Sequence, residues 1–251
     1  MKISLIIPIY NEQSHLQNFL TMIDAMDFGA PKELVLVDDC SKDRSYEILK
    51  SFPFRSEHQV LRNPANAGKG ASLHRGIDAA TGDIVAIQDA DFEYDPTDLK
   101  ALVERLLLNQ ADVVFGSRFK KNTTIVHRTF HYLINRVLTL LSNMLSGLYL
   151  TDMETCYKVF RSEIIKNIHL SSARFGFEPE VTAKVARLKI RIEELPIKYF
   201  PRTYLEGKKI TWKDGVSAVW QIIYFNLFVS KDQFFKKTMP SKYRIGFQAW
   251  F

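Results

Sequence analysis

The feature that most constrains this chain is the regular alternation, over its first 116 residues, of short Val/Ile-rich runs with longer stretches of helical period. Strand-like runs occupy 3–9, 34–38, 59–61, 84–88 and 113–116. Helical patterns lie between them near 13–26, 44–50, 69–80 and 97–109. Asp43 and Asp95 are expected helix caps, and Pro96 suits a first helical turn. Buried-type runs separated by helices predict an α/β fold with a mostly parallel sheet covered on both faces. Ligands of such sheets sit beyond the carboxyl ends of the strands. Three polar clusters fall there: Tyr10-Asn11-Glu12, Asp38-Asp39 and Asp89-Ala90-Asp91.

After residue 117 the alternation weakens. A mostly apolar helix is expected over 128–148, then the segment 151–161, a helix, a loop at 175–178, two strand-like pieces around Pro196 and a helix from near Asp214. No Gly/Ser linker, repeat or low-complexity block interrupts the chain, which reads as one domain over 1–230 with halves 1–117 and 118–230. The basic, aromatic tail 231–251 takes no assignment. Apolar residues at 46% and charged residues at 25% exclude disordered, collagen-like and disulfide-scaffold classes. Cys40 and Cys156 lie far apart and outside zinc or redox spacing, as expected of reduced thiols in a cytosolic chain. The opening apolar run reads as a strand and not a signal peptide. No stretch reaches the roughly 18 uninterrupted apolar residues of a spanning helix. The segments 132–150 and 216–229 come partway, and are expected to be buried or interfacial helices. The net charge of +6 is unevenly spread, with acids clustered in the first hundred positions and a basic second half, which is either a solvated basic face or one that meets an anion such as phosphate, acidic lipid or nucleic acid.

Asp89 and Asp91 end a buried run one residue apart, so both carboxylates can reach one hard divalent cation shared with substrate phosphates. The same pair also suits loop or cap positions. Glu93 offers a further oxygen. Tyr10 can lie against a flat base and Glu12 can accept from base N–H groups. Asp39 can take a ribose hydroxyl or cap the turn through Ser41 and Asp43. Asn66-Ala67-Gly68-Lys69-Gly70 brings glycines and Lys69 to a helix start, which suits phosphate. The spacing is not that of a P-loop, and no G-x-G-x-x-G follows the first strand, which weighs against a dinucleotide oxidoreductase.

The ordered set P-x-Y-N-E, V-D-D-x-S-x-D, N-x-G-K-G, D-A-D and G-S-R, each at a strand end, resembles the family 2 glycosyltransferases with the GT-A fold. Thr151-Asp152-Met153-Glu154-Thr155-Cys156-Tyr157-Lys158-Val159-Phe160 is similar to the T-D-x-x-[ST]-G-[FY]-[KR]-x-[FL] segment of the dolichol- and polyprenyl-phosphate mannose synthase branch. Phe175-Gly176-Phe177-Glu178, and Arg202 followed by Lys208, also match, so the resemblance covers about residues 3 to 215. It implies a nucleotide-binding half followed by an acceptor-binding, membrane-facing half. It implies that Pro8, Tyr10, Glu12, Val37 and Asp39 hold the nucleoside of a GDP- or UDP-sugar. Asp89, Asp91 and Glu93 would hold Mg2+ or Mn2+ on the diphosphate, with Ala90 lining the site, and Arg118, Arg202 and Lys208 would bind donor diphosphate or acceptor phosphate. Glu93 stands where the branch often has Gln, Cys156 where it has Gly, and Lys209 where it often has Ser.

The expected activity is inverting transfer of a hexose, mannose or glucose, to a polyprenyl or dolichyl phosphate by a protein peripheral on the cytoplasmic face of a membrane. An anionic acceptor oxygen needs no strong base. Transfer to a saccharide or lipid hydroxyl would need one, for which Asp152 is the candidate, with a structural cap as its other reading. A non-catalytic nucleotide-sugar-binding module is the reading outside enzymes. No nucleic-acid-binding module is present to make use of the charge.

Overall fold

The computed structural model describes residues 1–120, 129–174, 176–200, 212–230 and 233–244. Its first half runs β1 (Ile3–Ile9), α1 (Leu16–Ala25), β2 (Lys32–Asp38), α2 (Ser45–Ser51), β3 (Glu57–Arg62), α3 (Lys69–Ala79), β4 (Ile84–Ile87), α4 (Pro96–Leu107) and β5 (Val113–Ser117). The second half adds α5 (Thr129–Ser146), β6 (Lys158–Arg161), α6 (Ser162–Ile165), α7 (Phe177–Val185), β7 (Ile192–Pro196) and α8 (Trp212–Ile223). Helix α8 continues as a π-helical turn, Tyr224–Phe228, and a 3-10 turn follows at Ser241–Tyr243.

The strands form one sheet in the order β3-β2-β1-β4-β6-β5-β7. All pairings are parallel except those of β6, which runs antiparallel between β4 and β5. The Val/Ile runs make this core because a parallel strand is buried on both faces: Leu5, Ile6, Ile7, Val35, Leu36, Val85 and Ala86 are all fully buried. Helix α3 lies tight against β1 and β2 because Gly76 has no side chain; a Cβ there would meet Ile6 Cγ2 at 2.4 Å. Asp95 caps α4 as expected, accepting from Thr97 N at 2.9 Å. Asp43 accepts from Ser45 N at the start of α2.

The second half departs from expectation in three places. The loop expected at 175–178 is the start of α7, with Gly176 at its N-cap, while Phe175 lies outside the described residues. Of the two strand-like pieces around Pro196, one is β7 and the other is a single bridge, Tyr94 with Tyr199. Residues 233–244, unassigned from sequence, pack on the same body: Phe234, Met239 and Tyr243 are buried, and His169 N donates to Phe234 O.

The two apolar helices do not both turn their large residues inward. On α5, Thr139, Ser142 and Ser146 are buried while Leu133, Val137, Leu140 and Met144 are exposed. Helix α8 packs beside it, burying Ala218 and Ile222 and exposing Val216 and Trp220, with Leu227 and Phe228 of the π-turn continuing the exposed row. No helix among the described residues is long and apolar enough to cross a membrane.

Candidate active site

The carboxyl ends of β1, β2 and β4 lie side by side, and each is followed by a non-glycine residue in the left-handed region: Asn11 (φ 52°), Cys40 (φ 58°) and Phe92 (φ 57°). Such residues are uncommon and tend to collect at functional sites. The chain is forced into them where it turns sharply away from the sheet, directly after Tyr10, Asp39 and Asp91. The rim is stitched across: Asn11 N donates to Ser41 Oγ, Glu12 N to Ser45 Oγ and Gln13 N to Asp43 Oδ2. Pro8 and Tyr10 are half-buried and Glu12 is 7% exposed, so all three stay at this rim.

Three residues expected at the ligand surface do other work. Val37 is fully buried under α3, beside Gly76, so its side chain is not available to a nucleoside. Ala90 is also buried, and the alternation of burial from Asp89 to Asp91 turns both carboxylates outward and Ala90 inward. Asp39 is saturated: one oxygen accepts from Asn63 Nδ2 and Ala67 N, the other from Asn66 Nδ2 and Gly68 N, all at 2.8–2.9 Å. It anchors the 63–68 loop and is not left to a ribose hydroxyl.

The same loop is not an open phosphate cradle. Gly70 N and Ala71 N donate to the carbonyls of Arg174 and Ala173, so the start of α3 is satisfied by the chain itself. Gly68 (φ 96°) and Gly70 permit this approach; a Cβ on Gly70 would sit 2.2 Å from Ser172 O. The contribution of this motif to the site is its lysine. Lys69 Nζ stands 3.0 Å from Asp89 Oδ2, 3.2 Å from Cys156 Sγ and 3.4 Å from Glu178 Oε1. Burial works against the Lys69 charge, but Asp89 and Glu178 outweigh it and hold its pKa well above the usual lysine value. Burial, with the Asp89 charge, pushes the Cys156 thiol up.

Asp91 Oδ1 accepts from Glu93 N at 3.1 Å. Glu93 Oε2 accepts from the Tyr199 hydroxyl at 3.1 Å, and Phe200 N donates to Glu93 O. Among the described residues no group of three carboxylate, histidine or cysteine side chains is placed to hold a metal, so the expected trio of Asp89, Asp91 and Glu93 is not assembled. Asp89 and Asp91 fit a cation whose other ligands come from a diphosphate and water. The ammonium already seated on Asp89 marks that carboxylate as a cation acceptor.

Asp152 is fully buried and holds Arg118 in a bidentate grip, Nε to Oδ2 at 2.7 Å and Nη2 to Oδ1 at 2.8 Å, while Arg118 N also donates to Oδ2. That is a structural pair and not a base open to an acceptor. It also turns the Arg118 fork away from a phosphate, leaving the guanidinium against the Tyr199 ring at 5.2 Å. Glu194 supports the pair by accepting from Thr151 N and Asp152 N. Arg202 and Lys208 lie outside the described residues.

Sequence reasoning passed over three participants. Glu178 was visible only as part of a motif, and Tyr199 carried no signal. Glu154 is the third: burial, and then the Glu178 charge, push its carboxyl up to about 8, and its buried Oε1 has no hydrogen-bond partner.

The glycosyl transferase family 2 model matches residues 4–168. A dolichol-phosphate mannosyltransferase of Pyrococcus furiosus is 27% identical over 211 residues, 83% of this chain and 59% of that protein. A dodecaprenyl-phosphate galacturonate synthase of Rhizobium johnstonii is 27% identical over 232 residues, 89% of this chain and 64% of that protein. A dolichyl-phosphate beta-glucosyltransferase of Trichomonas vaginalis is 30% identical over 227 residues, 83% of this chain and 68% of that protein. The chain thus spans 59% and 64% of the length of the first two. Among solved structures, glucosyl-3-phosphoglycerate synthase from Mycobacterium tuberculosis, crystallised with Mn2+, UDP and phosphoglyceric acid, matches at a TM-score of 0.69 and 18% identity over 91% of this chain and 80% of that one. Mannosyl-3-phosphoglycerate synthase from Rubrobacter xylanophilus matches at 0.66 and 16%, over 90% of this chain and 72% of that one. At that identity the likeness is one of fold, the GT-A fold.

Proposed function

The chain belongs to glycosyl transferase family 2, and from that premise we propose that it moves a hexose, mannose or glucose, from a GDP- or UDP-sugar to a polyprenyl phosphate, inverting the anomeric carbon. The observation that carries this reading is the outward pair Asp89 and Asp91, set at a strained rim next to the stitched turn of Tyr10 and Glu12. The names of these relatives, each a transferase or synthase named for a dolichyl or dodecaprenyl phosphate, support this acceptor class.

In this mechanism Pro8, Tyr10 and Glu12 would hold the nucleoside, and Asp89 and Asp91 would hold the Mg2+ or Mn2+ that accompanies the diphosphate. When bound, that cation supplies charge neutralisation for the departing nucleoside diphosphate. The acceptor phosphate oxygen is anionic and attacks the face opposite the leaving group without a base. The burial of Asp152 under Arg118 supports this acceptor, because it leaves the competing hydroxyl acceptor without its expected base. Arg202 and Lys208 are the proposed partners of the acceptor phosphate. The exposed apolar row on α5 and α8 supports peripheral association with a bilayer, on its cytoplasmic face, from which a lipid acceptor can be drawn.

The test is transfer from GDP-mannose and UDP-glucose to polyprenyl phosphate in detergent, with Mn2+ or Mg2+ and after chelation. We expect a lipid-linked sugar product that needs the cation. Undiminished transfer by Asp91→Ala, or after chelation, would overturn the metal assignment.

A further inference from the structure

Asp89 carries two assignments at once: it is half of the proposed cation site, and it is already paired with a cation of the protein's own. Lys69 Nζ is 3.0 Å from Asp89 Oδ2, and the side chains of both residues are largely buried. The ammonium is held there by a cage and not by the one contact, since Cys156 Sγ lies at 3.2 Å and Glu178 Oε1 at 3.4 Å. The helix that carries Lys69 is fixed in turn: Gly70 N and Ala71 N are tied to Arg174 and Ala173, and Ala67 N and Gly68 N to Asp39. A lysine on such a mount has little freedom to leave the site, only to move within it.

We infer that Lys69 is a resident counter-cation of the donor site: it occupies Asp89 while no donor is bound, and is displaced by the cation that arrives with a nucleoside diphosphate. The inference rests on the donor-site reading above. A unit charge this close to the carboxylate, in a site partly closed to water, opposes a second cation on the same oxygen. A bare divalent ion therefore has to compete with Lys69. An ion arriving with a diphosphate brings negative charge for the displaced ammonium to meet, and Glu178 keeps that ammonium beside the site. The arrangement links cation and nucleotide binding without any large movement of the backbone.

The test is Mn2+ binding by titration calorimetry on the whole chain, with and without GDP and UDP. The wild-type protein is expected to bind Mn2+ weakly alone and at least tenfold more tightly with the matching nucleotide. Lys69→Met and Lys69→Gln are each expected to bind Mn2+ alone at least tenfold more tightly than wild type, so that the enhancement by nucleotide shrinks. Lys69→Arg keeps the charge and is expected to show no such gain. Thermal unfolding of each variant confirms that a folded protein is being titrated, and the two neutral variants back each other if one does not fold. Neutral variants that bind Mn2+ alone no more tightly than wild type would overturn the inference, while a nucleotide enhancement retained by wild type would leave the donor-site reading intact. If no form binds Mn2+ even with nucleotide, the donor-site reading fails and this inference with it.

Discussion

The two halves of the sheet solve opposite problems. Among the described residues before α5, the large apolar side chains left exposed are Met1 and Leu108; from Tyr132 onward they include Leu133, Val137, Leu140, Met144, Tyr149, Trp220, Leu227 and Phe228. The first half closes on itself and spends its irregular backbone on a polar rim. In the second, α5 buries Leu138 beside Thr139 and Ser142 but leaves Leu133, Val137, Leu140 and Met144 exposed, more apolar surface than a helix built only to cover a sheet leaves outside. The interiors differ as well. The first half buries acids, with Glu33 held down to about 2 because hydrogen bonds from Ser4 and Thr81 outweigh its burial. The second half buries cations too, with Lys158, Lys184 and Arg118 all internal. One half presents a polar rim, the other an exposed apolar row.

The sharpest way to break this comparison is at the rim. Asp91→Ala should lower the rate of sugar transfer by about a thousandfold or more, the scale expected when charge stabilisation at the leaving group is lost, with melting temperature little changed because the side chain is half-exposed. In the second half the largest effect should be on stability. Arg118→Ala leaves Asp152 buried without its partner, at a cost of about 3–5 kcal/mol, to be read as a drop of roughly 10 °C in melting temperature. Next comes the outward row: replacing Leu140 and Trp220 together by Asp should weaken binding to anionic vesicles by about a hundredfold or more, since each side chain contributes on the order of 1.5 kcal/mol or more when buried in a bilayer. The same pair should leave transfer to a short, water-soluble isoprenoid phosphate unchanged.

The smallest effect is set by pH. The Glu154 carboxyl stands at about 8 in the folded protein against an ordinary value of 4.5. Between those values the folded state holds the extra proton, so this contribution is complete below about pH 4.5 and is lost as pH rises through about 8. Because part of the shift comes from the neighbouring Glu178 charge and is shared between the two groups, the loss assigned to Glu154 is about 2 kcal/mol, less than the full shift would give. Glu154→Gln should match wild type at pH 5 and melt about 5 °C higher at pH 9.

The first half was legible because its signals are local. A Val/Ile run between turn residues is enough to place a buried strand, and the alternation out of β4 is enough to turn Asp89 and Asp91 to one side. Strand β6 was harder to read as a strand: it is four residues long and opens with Lys158, a buried lysine whose ammonium caps the carbonyls of Met153 and Thr155. The roles of Asp39 and Asp152 were legible only as far as a structural cap, the second of two readings for each, and their partners were not. Each is decided by donors 24 to 34 residues away in sequence, which neither period nor spacing encodes. Glu93 misled for the same reason, since its partner Tyr199 is 106 residues distant.

The reversed strand has a consequence in time. Strands β1 to β4 can pair as soon as residue 87 is made, because β3-β2-β1-β4 are contiguous in the sheet. Strand β5 does not pair with them; among the described residues its sheet neighbours are β6 and β7, both encoded later. At a synthesis rate of roughly 5–20 residues per second, β5 waits about 2–9 s for residues 158–161 to appear. During that interval the half-finished protein carries an unpaired Val113-Val114-Phe115 segment and, just behind it, the emerging apolar α5. The nascent chain is therefore at its most vulnerable to aggregation midway through its production, and a surface or chaperone that takes up α5 early would shield it.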